Sequence, residues 1–243
     1  MARTNPALRE SVFRNAIAGV TAERMTVSGA AFKALLLVAL ATFSAGWVWT
    51  AAISKPEVVS PSMLIGVFGG LVVALIALFR PQTSPFTAPL YAVLEGLALG
   101  AISATYSAVY HGIAVQAVGL TLAVALGMLL AYQTGVIRAT PMFRRIVISA
   151  TIGIMLFYAF TLVLGLFHVS MPILWSHSAL GIGLSLVFAG VAALNLILDF
   201  DMIERGAQQG APKYMEWYGG FALLMTLVWL YLEILRLLSN SRR

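Results

Sequence analysis

The chain has no cysteine, so disulfides, thiol chemistry and thiolate metal sites are excluded. Charge is scarce as well: of 243 residues, 10% are charged and 60% are hydrophobic. A soluble domain carries about 25% charged residues. The acids and bases present cannot cover a water-facing surface, and the composition predicts an integral membrane protein. Histidine is limited to His111, His168 and His177. All three fall in breaks between apolar runs, without the clustered spacing a zinc site requires. Because no histidine lies inside an apolar run, Ser185 in GIGLSL has no base, which argues against an intramembrane serine protease. The only lysines are Lys33, Lys55 and Lys213. None falls in the last apolar run, where a rhodopsin would need its Schiff-base lysine. With no nucleophile–base pair left, the expectation is a protein that is neither an enzyme nor the holder of a cofactor.

Seven apolar runs are present. A helix needs about 20 apolar residues to cross the hydrocarbon core, and the stretches that qualify are 31–52, 63–79, 88–110, 113–133, 146–167, 179–199 and 217–238. The breaks between them carry Pro, Gly and charge, as in Lys55-Pro56-Glu57, Arg80-Pro81 and His111-Gly112, which is turn chemistry. The predicted fold is all-α, a seven-helix transmembrane bundle over residues 31–243 preceded by a basic tail over 1–30. The short third break predicts a tight antiparallel pair of the third and fourth helices. The tail holds Arg3, Arg9, Arg14 and Arg24 and no long apolar run, unlike a secretory signal. Gly66–Gly70 and Gly96–Gly100 allow close helix contact. The five tryptophans, at 47, 49, 175, 217 and 229, lie mostly toward segment ends, as an interfacial belt would place them. No internal repeat is visible, which weakens an inverted-repeat transporter reading.

The net charge of +6 would raise nucleic acid as a partner in a soluble protein. In a bilayer it reads instead as orientation signals and attraction to anionic headgroups, with lipid as the partner and no nucleic acid. With the N-terminus cytoplasmic, eleven basic residues share that side: Arg3, Arg9, Arg14, Arg24, Lys33, Arg80, Arg138, Arg144, Arg145, Arg205 and Lys213. Four (Lys55, Arg236, Arg242 and Arg243) fall opposite. The split predicts a cytoplasmic N-terminus and an outside C-terminus.

Three acids stand out against this background: Glu95 in YAVLEGLALG, Asp199 in LNLILDFDMIERG and Glu233 in LVWLYLEILRLL. An ionisable group at membrane depth costs several kcal/mol, on the order of 2.5–3.5 on insertion scales, and marks ion or proton chemistry by default. Glu95 lies seven residues into its run, roughly 10 Å at 1.5 Å per residue, and Asp199 closes the sixth, so the two can share the cytoplasmic third of the membrane. Asn195, one turn deeper than Asp199, adds an oxygen ligand or hydrogen-bond partner. Glu233, sixteen residues into the seventh run, falls toward the outer third unless that helix starts well below the bilayer. Two neighbouring carboxylates can share a proton and so respond to pH, and can hold a hard cation such as Ca²⁺ through oxygen. The competing reading neutralises each acid with Arg80 or Arg205 at the interface. Asp201 points to a different helical face from Asp199 and reads as a solvated cap.

These residues carry a resemblance. AALNLILDFDMIERG, APKYMEWYGGFALLMTLVWLYLEILRLL and YAVLEGLALGAISA, with the seven-span layout, resemble the Bax inhibitor-1 family in its bacterial branch, over nearly the whole chain from about Ala31. The resemblance implies a seven-helix bundle with the last helix at its centre, in a bacterial inner membrane, acting as a pH-sensitive Ca²⁺-leak channel. It also implies that Asp199 and Glu233 form the acid pair that senses protons and can meet Ca²⁺, with Glu in place of the family's second Asp. Arg80, directly after the second helix, matches the arginine that locks the closed state. Glu95 is an added acid along the path, from the residue reading alone. The alternative from another class is a non-conducting modulator that binds a membrane-protein partner, such as a membrane protease or a stress regulator.

Overall fold

The structure, a computed structural model, describes residues 24–167 and 178–242. Most of the basic tail, with His168, Trp175, His177 and Arg243, lies outside the described residues. Seven helices are long and apolar enough to cross a membrane: α1 (Val27–Ser54), α2 (Pro56–Phe79), α3 (Pro81–Val109), α4 (Ile113–Gln133), α5 (Pro141–Leu166), α6 (Ala179–Gln208) and α7 (Met215–Ser241). The chain is an all-α seven-helix bundle. Below, the end where α1 begins is called proximal and the other end distal.

Most helices overrun their apolar cores, because hydropathy registers only the part that meets hydrocarbon while capping decides where winding stops. Thr26 caps α1 by accepting the Gly29 N–H at 3.0 Å, and Thr140 caps α5 by accepting that of Phe143 at 3.2 Å. Pro141 follows Thr140 at the first helical position, where its missing N–H costs nothing. The largest overrun is at α6, which continues nine residues past Asp199 to Gln208. The α3–α4 turn is closed by Gly112 at φ 73°, a left-handed conformation that glycine adopts without strain.

Small residues set the helix spacing. A Cβ on Gly96 would fall 2.7 Å from Cβ of Ser44, and one on Gly100 would fall 2.9 Å from Cβ of Val48, so α3 lies directly on α1. Gly66 does the same for α2 on α3, where a Cβ would fall 2.6 Å from the Leu94 carbonyl oxygen. A single π turn, Ile65–Gly69, interrupts α2 at this crossing. Such wide turns recur at functional sites.

Two buried clusters follow. One joins α1, α2, α3 and α7 through Leu37, Val73, Tyr91, Phe221, Leu224 and Val228. The other joins α4, α6 and α7 through Ile113, Leu196, Leu230 and Leu235. Helix α7 packs against α1, α3, α4 and α6. The expected tight α3–α4 pair does not form. After the Gly112 turn, α4 leaves α3 and packs chiefly on α7 and α6, because the face of α3 is already occupied by α1 and α2. Arg242, just beyond the end of α7, holds the start of α4 through the His111 carbonyl at 3.1 Å and Gln116 Oε1 at 2.6 Å.

Candidate functional site

Glu233 is fully buried, 1% exposed. An ionised carboxylate in that position requires a counter-charge and hydrogen bonds, and it has both. Arg236, one turn on, donates to Oε2 at 3.1 Å, Trp229 Nε1 donates to Oε1 at 3.0 Å, and the Tyr158 hydroxyl from α5 also donates to Oε1. Arg236 donates to the Tyr158 oxygen at 2.5 Å as well, closing a ring. Arg236, expected among the basic residues opposite the N-terminus, is therefore an ion-pair partner rather than an orientation signal. It is only 13% exposed and belongs to the bundle interior, since its partner sits three residues away on the same helix face.

Asp199 is placed differently. Its neighbour across the α6–α7 seam is the Thr226 side chain. Its Oδ2 is sealed from solvent with no hydrogen-bond partner among the described residues. No Lys or Arg forms an ion pair with it there. Asn195, one turn deeper, donates its amide to Thr151 Oγ1 of α5 and to the Val191 carbonyl, both at 2.8 Å, so it ties α6 to α5.

The register of α6 against α7 fixes the separation of the two acids. The helices are antiparallel, with Ser185 opposite Asn240 at 3.3 Å and Asp199 opposite Thr226. Both pairs obey one register, in which Ala192 is level with Glu233. Glu233 is then seven residues farther along the seam than Asp199, about 10 Å at 1.5 Å per residue. Ca²⁺ takes oxygens at roughly 2.3–2.6 Å, so one ion would meet both acids only with the two side chains extended toward each other along the seam. Among the described residues no three His, Asp or Glu side chains gather in a way that could hold a metal.

Glu95 sits against α2, where a Cβ on Gly70 would meet its Oε2 at 3.1 Å, with the Tyr91 side chain beside it. Helices α3 and α7 run parallel, with Tyr91 on Phe221 (ring centroids 4.9 Å apart) and Ser103 bonded to Tyr231 at 2.7 Å. That register sets Glu95 level with about residue 224 of α7, within a turn of Thr226. Leu224 and Val228 face α3, whereas Thr226 lies two residues from each, about 200° around a helix of 3.6 residues per turn. Glu95 and Asp199 thus share a depth but stand on opposite sides of α7. Arg80 is exposed at the proximal α2–α3 turn, beside a cleft it shares with Tyr214. It makes no ion pair among the described residues.

Asp201 overturns the solvated-cap reading. It is 7% exposed and takes Arg144 of α5 at 2.5 Å and Arg205 at 2.9 Å. Because α6 continues to Gln208, Asp201 is mid-helix, with Arg205 at i+4 on the same face. Beside it, Tyr132 of α4 donates to Glu204. The sequence reading also missed Glu216. This residue is 1% exposed and accepts the Thr26 backbone N–H at 3.0 Å, the Thr26 hydroxyl at 2.9 Å and Lys213 at 3.0 Å. With Met25 N–H bonded to the Ala211 carbonyl at 2.7 Å, it fastens the start of α1 to the start of α7. The i,i+3 and i,i+4 spacings of Glu233–Arg236 and Asp201–Arg205 were visible in the sequence. Tyr158, Arg144 and Thr26 come from other helices, and no local pattern points to them.

One comparison bears on this arrangement. The family model described as Bax inhibitor 1 like matches residues 5–243. The chain belongs to the Bax inhibitor 1 like family. No curated protein and no solved structure matches it. Family membership and the seven apolar helices together make this Bax inhibitor 1 like chain a multi-pass membrane protein that lives in a lipid bilayer.

Proposed function

We propose that the protein is a pH-sensitive Ca²⁺-leak channel, or a regulator of cation flux, in a bacterial inner membrane with its N-terminus cytoplasmic. One observation carries the reading. Asp201, Glu216 and Glu233 are each met by a cation, whereas Asp199 keeps a buried carboxyl oxygen without a partner among the described residues. Ionised, that group demands a cation or water in the α6–α7 seam; protonated, it becomes a donor that a neighbouring acceptor can satisfy. The two protonation states favour different packings of α6 on α7, which is what a proton-operated gate requires. Asp199 is thus the first sensor. Glu233 joins it only when Arg236 and Tyr158 release it, and Arg80 is the proximal counter-charge of the closed form. Glu95 is a second acid at the same depth beside the π turn of α2.

The test is Ca²⁺ flux into proteoliposomes holding only this protein, from pH 5 to 8, with wild type beside Asp199→Asn. Wild type should conduct with a pH dependence that Asp199→Asn abolishes. An unchanged pH profile in the mutant moves the sensor away from Asp199. Absence of flux at every pH refutes the channel and leaves the modulator of a membrane-protein partner.

A further inference from the structure

In the distal half of the bundle, α1, α3, α4 and α7 enclose a cavity of about 350 Å³, within the roughly 300–1,000 Å³ of small-molecule sites. Its lining includes Leu99 of α3, Leu227 and Val228 of α7, Thr42 and Gly46 of α1, and Val118 and Leu122 of α4. Helices α1 and α4 scarcely touch. Val118 is 44% and Leu122 48% exposed, so the cavity is a slot open sideways to the bilayer.

The polar groups in the slot indicate what it admits. Thr42 and Thr121 turn their hydroxyls onto their own helices, bonding Val38 O at 2.8 Å and Ala117 O at 2.7 Å. Ser103 and Tyr231 bond each other at 2.7 Å. Every hydroxyl lining the slot is thereby engaged, leaving a hydrocarbon surface unsuited to an ion or a polar solute. Its length is equally telling. From Ala114 to Leu122 the α4 wall spans eight residue rises, and from Val38 to Trp49 the α1 wall spans eleven, about 12 and 16 Å. Half of a hydrocarbon core of about 30 Å is 15 Å, so the slot is one leaflet deep. At its distal mouth lies Trp49, an aromatic of the kind that sits at headgroup level.

We infer that this slot holds one acyl chain of a phospholipid from the distal leaflet, with its headgroup at the level of Trp49. The site is separate from the acids of the proposed gate and stands whether or not the protein conducts. Bound there, the chain wedges α4 away from α1 and fills the space left where α4 departs from α3.

Two readouts test it. Proteoliposomes containing a phosphatidylglycerol with a diazirine in its acyl chain are irradiated and the labelled peptides mapped. Labelling of the α4 stretch 114–122 should exceed that of the exposed α5 face around Leu162 at least about threefold. Gly46→Leu fills the slot without a clash, since a Cβ there meets nothing within 4 Å. Val118→Trp fills it from the other wall, so one informative variant remains if the other fails to fold. Each should reduce α4 labelling to the α5 level, whereas Gly153→Leu, also unobstructed but on α5, should leave it unchanged. Native mass spectrometry of wild type should show one retained adduct of phospholipid mass. Equal labelling of α4 and α5, labelling unaffected by both slot variants, or an adduct of fatty-acid mass or none overturns the inference.

Discussion

Replacing Arg236 with Met removes the only cation that, among the described residues, pairs with the fully buried Glu233 carboxylate. The guanidinium is 13% exposed and Glu233 is 1% exposed, so solvent screens the pair little. Removing one partner of a buried pair costs about 3–5 kcal/mol, because the remaining charge is left uncompensated. Glu233 would keep the Trp229 and Tyr158 donors, which places the expected loss near the lower end, about 3 kcal/mol. For chains of 150–250 residues, 1 kcal/mol moves Tm by about 2–4 °C, so Arg236→Met should lower Tm by roughly 6–12 °C in detergent or nanodiscs. Glu233→Gln removes the stranded charge while keeping an acceptor for Trp229 and Tyr158. The double variant Glu233→Gln/Arg236→Met should therefore be more stable than Arg236→Met alone, with a coupling of about 2–3 kcal/mol. Asp199→Asn and Glu233→Gln should instead be additive within about 0.5 kcal/mol, since the register separates them by two turns. A Tm loss under about 2 °C for Arg236→Met, or additivity of the 233/236 pair, would show that the ion pair does not hold Glu233 and that the acid is freer to act as a sensor.

Two further outcomes are expected. A Cβ on Gly29 would land inside the Glu216 carboxyl group, so Gly29→Ala should destabilise strongly alone and much less in a Glu216→Ala background; equal losses in both, read by thermal unfolding, would refute the Glu216 fastening. With Arg236 buried, the basic residues divide eleven to three between the two sides, and a reporter fused after Arg243 that works only in the cytoplasm should be silent. Activity there would reverse the proposed orientation.

The chain by itself determined the solvent, the helices and the depth of each acid. Seven runs long enough for hydrocarbon allow little besides seven helices, because lipid offers backbone groups no partners. Counting residues along one helix sets how far a side chain lies from the end of its span, and Glu95, Asp199 and Glu233 fall in the relative order the count predicts. Tertiary structure decided who meets whom, since depth is one coordinate and pairing also needs azimuth and neighbour. Glu95 and Asp199 share a level but face opposite sides of α7, which no count along α3 or α6 reveals. Asp201 reads as a cap in isolation and is clamped by Arg144 only because α5 packs against the extended end of α6. Tyr158 reaches Glu233 from 75 residues away, and Thr26 reaches Glu216 from 190. A buried carboxylate requires a partner, and its burial makes that requirement strict, but the partner is whichever side chain the packed helices bring within hydrogen-bonding distance.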